Sequence, residues 1–259
     1  MKIPKIPSPT DKRVRRLGLI ALLLFASTVQ GQAIADKVKS MQKFPGFFSF
    51  YWDAKAGKIW LEIDKWNTEF LYVESLPAGI GSNDIGLDRG QLGSSSIVRF
   101  DRSGPRVLLV APNYAFRANS NNPDERLAVK DAFAESTLWG FEVAAEEDGR
   151  VLIDATNFYL RDVHQVTNTL QRGQQGTYKL DQSRSAFYLP NTKNFPRNTE
   201  VETTLTFTGE PAGQYVRQVV PVPDAITVRE RHSFVQLPDA GFKPRAFDPR
   251  AGYFGIQYM

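Results

Sequence analysis

A chain of 259 residues with 32 basic and 28 acidic residues and no cysteine is long enough to bury a core without covalent staples. The missing cysteine excludes disulfides, thiolate metal sites and a thiol nucleophile. Six of the basic residues, but only Asp11 among the acids, lie in residues 1–33, so 26 basic and 27 acidic residues remain beyond them, giving no cationic surplus for nucleic acid or an anionic membrane.

Lys2, Lys5, Lys12, Arg13, Arg15 and Arg16 precede an apolar run of 13 residues, Leu17 to Val29, which leads to small residues at Gly31, Ala33 and Ala35. This is the layout of a signal peptide, expected over residues 1–33. Val29-Gln30-Gly31 and Gly31-Gln32-Ala33 both offer a cleavage site. The run is short for a bilayer span, and no later segment approaches 18 consecutive apolar residues. A periplasmic or extracellular protein is therefore expected, soluble and free of the membrane once the signal is removed.

Lys37 to Lys43 reads as a short, polar, helical lead-in to the 34–252 domain. Phe47 to Trp52 and Lys58 to Ile63 flank a Gly57-ended loop, the pattern of a β-hairpin. Ile59, Leu61 and Ile63 share one face of its second arm. Phe70 to Leu76 gives a third strand. Pro77 to Ser96 carries Gly79, Gly81, Gly86, Gly90 and Gly93 and reads as a long loop, of a length that is functional or disordered in a compact domain. Ile97 to Phe100 and Arg106 to Val110 resume as strands around a turn at Asp101–Pro105. Asn122 to Ser136 is the clearest helix: Asn122 caps it, Pro123 fits its first position, and Asp124 and Glu125 complement the dipole. Leu127, Val129, Ala132 and Phe133 are its apolar residues. A second hairpin spans Leu138–Ala145 and Val151–Tyr159 around a Glu146–Gly149 turn marked by Asp148-Gly149. Arg161 to Gln171 is expected as a helix ended by Gly173. Glu200–Thr208, Tyr215–Val220 and Ile226–Gln236 are expected as strands, the first because Thr203, Thr204, Thr206 and Thr208 favour extended structure. The sum is an α+β fold dominated by an antiparallel sheet or sandwich of hairpins, with two to three short helices.

The chemistry-bearing residues are sparse. His164 and His232 are the only histidines, and neither sits in a His-Glu-x-x-His spacing. Asp162 and His164, two apart, would not share a helix face. Glu230 and His232, also two apart, would share a strand face and could pair. Ser94-Ser95-Ser96 has no nucleophile elbow, and Gly79-Ile80-Gly81 has no dinucleotide-binding context. A glycosidase carboxylate pair is defined by separation in space, which sequence does not give. No catalytic and no metal-binding residue is nominated. The four tryptophans and the other aromatics lie within strand patterns and read as core rather than as a sugar platform. Gly86-Leu87-Asp88-Arg89-Gly90-Gln91 is the one candidate partner-facing or substrate-facing loop. Its glycines admit close backbone approach, and Asp88, Arg89 and Gln91 offer an acceptor, a fork donor and an amide. Its simpler reading is a solvated loop with an internal Asp–Arg pair.

That block, Trp139-Gly140-Phe141-Glu142, Asp154-Ala155-Thr156 with Arg161-Asp162, Phe195-Pro196-Arg197-Asn198-Thr199-Glu200 and Pro244-Arg245-Ala246-Phe247-Asp248-Pro249-Arg250 occur here in order. In this the chain, from about Met41 to Met259, resembles the N-terminal region of large secreted bacterial zinc-dependent metalloproteases. The resemblance implies a continuation into a metzincin-like catalytic domain with a His-Glu-x-x-His helix and a further histidine, where a glutamate activates zinc-bound water. That pattern is absent from this sequence, so no residue here inherits a zinc-ligand or general-base role. Zinc is expected in the missing catalytic domain and no cofactor in this chain. Residues 253–259 read as the truncated start of the connection to it. The expected function is a non-catalytic domain that docks on the catalytic domain, assists its folding or shapes its cleft. Its expected partners are that domain and a peptide substrate. The alternatives are an independent periplasmic peptide- or glycan-binding module, and a hydrolase built on the two histidines or scattered carboxylates.

Overall fold

The computed structural model describes residues 33–243 together with Asp248 and Arg250. Residues 1–32 of the expected signal peptide, most of the 244–250 block and the 253–259 segment lie outside the described residues. Among the described residues, twelve strands form one antiparallel sheet. They are β1 (Gln42–Phe44), β2 (Phe50–Asp53), β3 (Lys58–Ile63), β4 (Phe70–Ala78), β5 (Gln91–Ser103), β6 (Arg106–Ala111), β7 (Ser136–Glu147), β8 (Arg150–Asp154), β9 (Gly176–Phe187), β10 (Lys193–Phe195), β11 (Asn198–Pro211) and β12 (Ala225–Gln236). Their spatial order is β1-β2-β3-β8-β7-β6-β5-β4-β12-β11-β10, and β9 shares the outer edge of β11 with β10. Five short helices accompany them: α1 (Ile34–Val38), α2 (Pro123–Ala132), α3 (Thr156–Tyr159), α4 (Val166–Arg172) and α5 (Gln214–Val219). This is the β-dominated antiparallel α+β fold expected from the sequence. None of these helices is long and apolar enough to cross a membrane.

The sheet rolls until its two ends meet. Asn194 Nδ2 on β10 donates to the carbonyls of Phe44 and Phe48, each at 2.8 Å. The Phe47 N–H donates to Phe195 O at 2.8 Å, and the Phe48 N–H to Thr199 Oγ1 at 3.0 Å. Closure satisfies edge groups that would otherwise offer a template for another chain. Inside lies a single cluster fed by nine strands, including Phe50, Ile59, Leu61, Ile63, Phe70, Val98, Phe100, Leu109, Phe141, Ile153, Val201 and Phe234. Phe48 packs edge-on against Phe70, Phe100 and Phe234, an arrangement the aromatic quadrupoles favour. A second cluster covers the far ends of β4, β12, β11 and β9, where Leu76, Val228, Leu205, Phe207 and Tyr178 meet Ile85, Leu87, Leu170 and Val216. A third lies under α1, where Ile34 and Trp60 pack with Leu152 on the outer face of β3 and β8.

Several elements differ from their sequence reading. The expected loop over residues 77–96 ends at Gly90, because β5 starts at Gln91 and pairs with β4. The Asp101–Pro105 turn tightens to Gly104-Pro105, with Ser103 opposite Arg106 and Gly104 at φ 55°. The turn expected over Glu146–Gly149 tightens to Asp148-Gly149, because β7 runs on to Glu147 opposite Arg150; both turn residues have positive φ, as such turns require. The lead-in divides into α1 and β1. Thr156–Tyr159, expected as strand, is helical. The helix expected from Arg161 begins only at Val166, since Asp162 turns back to accept from the N–H groups of Val166 and Thr167 at 2.7 and 3.0 Å. Tyr215–Val220 is helix α5 and not a strand: Gln175 Oε1 accepts the Val216 N–H at 3.1 Å, while Val216 buries in the second cluster. Helix α2 has the predicted cap, Asn122 Oδ1 accepting from Asp124 N–H at 3.0 Å, yet buries none of its residues.

Thr199→Val keeps the shape at the closure but leaves the buried Phe48 N–H without its acceptor. It is expected to lower unfolding free energy by about 1–3 kcal/mol, read from urea denaturation followed by tryptophan fluorescence.

Candidate functional site

One inward face of β4 and β12 carries apolar residues interrupted by charge. Along β4 the buried series is Phe70, Tyr72, Glu74, Leu76, and along β12 it is Ile226, Val228, Glu230, His232, Phe234. Tyr72, Glu74, Glu230 and His232 thus form a polar layer between the two larger apolar clusters. Two bulges aim it. Val73 pairs with Ser95 and Ser75 with Leu92, which puts both Gly93 and Ser94 opposite Glu74. Arg229 pairs with Ala78 and Arg231 with Ser75, which puts both Leu76 and Pro77 opposite Glu230. Bulges of this kind re-aim side chains and are frequent beside functional sites.

The Leu160–Gln165 connection between α3 and α4 closes over this layer. Glu230 Oε2 accepts the Val163 and His164 N–H groups at 3.0 and 3.2 Å. Glu74 Oε1 accepts both the N–H and the hydroxyl of Ser94 at 2.8 Å. Its other oxygen lies 3.8 Å from His164 Nδ1, beyond hydrogen-bonding distance, although the two side chains are only 5% and 6% exposed. Glu74 Oε2, His164 Nδ1 and Glu230 Oε1 are buried with no hydrogen-bond partner among the described residues. Gly93 makes the close approach possible: a Cβ there would fall 2.5 Å from Glu74 Oε1 and 2.8 Å from His164 Nδ1.

A second chain of hydrogen bonds crosses the layer. Arg161 stacks over the Trp139 and Phe158 rings and donates to Tyr72 Oη at 3.3 Å. The Tyr72 hydroxyl donates to His232 Nδ1 at 2.8 Å, and His232 Nε2–H donates to Tyr159 O at 3.1 Å. The Tyr159 carbonyl accepts only, which assigns the proton to Nε2. Burial, and secondarily the Arg161 charge, depress the His232 pKa to about 3, so the ring is neutral. Burial raises the Tyr72 and Tyr159 hydroxyls. Desolvation raises the Glu230 carboxyl well above its ordinary value, with Asp162 and Glu74 adding to the effect against the two backbone donors. The layer can hold protons and fasten a connection, and among the described residues Glu74 Oε2, His164 Nδ1 and Glu230 Oε1 are left over from those tasks. Among the described residues no three His, Cys, Asp or Glu side chains are arranged to hold a metal ion.

The candidate loop residues separate. Asp88 O accepts the Gln91 N–H at 3.3 Å, and Arg89 is exposed. Asp88 and Arg89 form no ion pair with each other among the described residues. Gln91 alone reaches the layer, its Oε1 3.3 Å from His164 Nε2. The loop itself is anchored through Ile80, Ile85 and Leu87 in the second cluster. Glu230 and His232 share a strand face as expected, but Glu230 bonds the backbone of the opposing connection and not His232. The two histidines are brought to one layer through Glu230 and Glu74. Glu74 escaped notice in the sequence, although a carboxylate at an inward position of an alternating strand is a readable signal. Glu202 had no such signal: it faces outward on β11, yet the Tyr188–Asn191 turn covers it, and Arg231 and Arg229 hold it at 2.5 and 3.3 Å.

A rolled antiparallel sheet with a buried polar layer defines this as a β-rich α+β domain. Residues 90–259 match the family described as Domain of unknown function (DUF5117), and residues 32–79 match another described as Domain of unknown function (DUF5118). The first match covers more than half of the chain, and the chain belongs to that family. No curated protein and no solved structure matches it.

The Glu230 shift sets a pH dependence with a definite sign. Its folded pKa lies above the ordinary 4.5, so the native state binds the extra proton between those values and stability falls as pH rises through that window. His232 acts oppositely: its stability contribution is complete above 6.5 and is lost as pH falls toward about 3. Glu230→Gln is expected to abolish the loss on the alkaline side while retaining the loss on the acid side, in urea midpoints measured from pH 4 to 9. Gly93→Ala is expected to cost about 1–3 kcal/mol through overpacking against two buried side chains, measured the same way.

Proposed function

We propose that this chain is a non-catalytic domain of an exported zinc-dependent metalloprotease, docking on the catalytic domain and shaping one side of its cleft. The observation that carries the docking reading is the excursion between β6 and β7, residues 112–135. It contains α2 yet contributes no buried residue, while Phe116, Leu127 and Phe133 stand 50%, 55% and 37% exposed. Phe116 and Phe133 stack on each other with centroids 3.9 Å apart. Exposed apolar side chains gathered on one surface element mark an interaction site, and a helix with no face on its own core gains stability from a partner. The resemblance carried by the ordered sequence blocks is what favours a metalloprotease catalytic domain as that partner. The titratable cluster fits a supporting role, because Glu230 fastens the Leu160–Gln165 connection and His232 holds the Tyr159 carbonyl just before it.

The test pairs the full-length chain with a metzincin-like catalytic domain from the metalloproteases it resembles. Binding in isothermal titration is expected, weakened at least about tenfold, or about 1.4 kcal/mol, by Leu127→Asp. That exposed substitution should change unfolding free energy by no more than about 0.5 kcal/mol. The chain alone is expected to hydrolyse no casein and to retain no zinc after dialysis. One retained zinc per chain with proteolysis, or docking indifferent to Leu127→Asp, would overturn the proposal.

A further inference from the structure

We infer that the cleft between α2, the 112–118 segment and β5 receives an acidic, apolar segment of a partner polypeptide; this rests on the docking reading and names the chemistry recognised. The cleft measures about 600 Å³, within the roughly 300–1,000 Å³ range of ligand sites. Its carboxylates are already engaged. Arg99 holds Asp101 at 2.9 Å and Glu135 at 2.8 Å, which lowers the Glu135 pKa. Tyr114 donates its hydroxyl to Glu69, and burial together with that bond pushes the phenol up to about 12.

The cations of the rim form no salt bridge among the described residues, and of them only Lys130 contributes to the lowering of Glu135. Arg117, Arg126 and Lys130 line the cleft and pair with no carboxylate among the described residues. Arg126 donates to Ser120 O at 2.8 Å, and Arg117 lies 5.9 Å from the Tyr114 ring centroid. Arg126, Lys130 and Phe133 stand four and seven residues apart and share one helix face. Asp124 and Asp131 fall on the opposite face and do not line the cleft. Glu125 lies to one side and does not line the cleft either, so the α2 side chains that face it are cationic or apolar, and the cations border the Phe116–Phe133 stack. A ligand matching this surface carries carboxylates next to aliphatic or aromatic side chains. A free carboxylate or a phosphate would satisfy the cations but leave the stacked rings in water.

Fluorescein-labelled octapeptides of alternating Glu and Leu, Lys and Leu, or Glu and Ser test the inference by anisotropy with the full-length chain. Saturable binding of the Glu–Leu peptide is expected, at least tenfold tighter than either control and weakened as salt rises from 50 to 300 mM. Arg126→Glu with Lys130→Glu should cost at least tenfold, whereas Arg172→Glu with Arg184→Glu, the same change of four charge units placed on α4 and β9, should not. Circular dichroism melting of each variant separates lost folding from lost binding. Equal binding of the Lys–Leu peptide, indifference to the double reversal, or tighter binding of single-stranded decathymidylate would overturn the inference. If Leu127→Asp still abolishes docking on the catalytic domain when no Glu–Leu peptide binds, the docking reading stands and the acidic assignment alone falls. If the peptide binds and no catalytic domain does, the cleft stands and the partner is another polypeptide.

Discussion

Strand β4 bonds to β5 along one edge and to β12 along the other, and each ladder is out of step beside an inward-facing glutamate. The rest of the fold depends on this pair of irregularities. Without them Glu74 and Glu230 would enter a continuous apolar face with no donor at hand, a costly burial in a low dielectric. With them Ser94 closes on Glu74, and the Leu160–Gln165 connection supplies two N–H groups to Glu230. The polar layer then divides the interior. On one side nine strands enclose the phenylalanine-rich barrel; on the other, β4, β9, β11 and β12 continue into a second core roofed by α4 and α5. Desolvation and the neighbouring carboxylates hold Glu230 in its protonated form across a raised range, so the seam between the cores is itself a titrating element.

The same strand explains how the two family matches relate. The match over residues 32–79 contains β1 to β4, and that over 90–259 contains β5 to β12. Yet β3 and β4 are not neighbours: β3 pairs onward with β8, and β4 with β5 and β12. The first segment alone would be a three-stranded meander and a detached strand. The second alone would leave a gap beside β5, β8 and β12 through which Phe100, Phe141, Ile153 and Phe234 would meet water. Barrel closure also joins the two, through Phe44 and Phe48 from the first and Asn194 and Thr199 from the second. The two matched segments are thus complementary parts of one sheet in this chain, and the Gly79–Gly90 loop between them is an internal turn and not a linker.

The strands that fold on themselves were readable in the sequence because their signals are local. The alternation of Ile59, Leu61 and Ile63, the Asp148-Gly149 turn and the Asn122-Pro123 cap each act within a few residues, and each survives in the structure. What was not readable depends on a distant partner. β9 alternates only from Gly176 to Leu180; beyond it Asp181, Ser183, Arg184 and Ser185 carry no apolar pattern, and the ladder with β11 resumes only at Ala186. Tyr215–Val220 has β-branched composition, but Gln175, 41 residues before Val216, accepts the Ala212 and Gly213 N–H groups on its carbonyl and the Val216 N–H on its side chain, which starts α5 there. For the site, the Glu230-x-His232 spacing gave the shared face, whereas the bond from Glu230 to residues 163 and 164 required knowing which connection lies across β12. Glu202 was the least legible: its outward position predicts exposure, and only the Tyr188–Asn191 turn makes it buried.

The ladder that carries the polar layer also fixes the floor of the surface cleft. Phe70 pairs with Val98; Glu69 directly precedes the one and Arg99 follows the other, so the engaged carboxylates at the base are set by a rigid sheet. The rim is different. It belongs to an excursion with no residue in the core, and segments of low burial and exposed backbone bonding open at low free energy. A partner seated there must order the rim as it binds, which subtracts from the affinity its area would otherwise give. Arg117, Arg126 and Lys130 act before that ordering, through long-range attraction that raises the rate of encounter, whereas the Phe116–Phe133 stack acts after it by resisting departure. Charge inside the protein therefore serves chiefly to fasten the fold, while the cations of α2 are left for recognition, and the division follows from whether a β-ladder or solvent surrounds the residue.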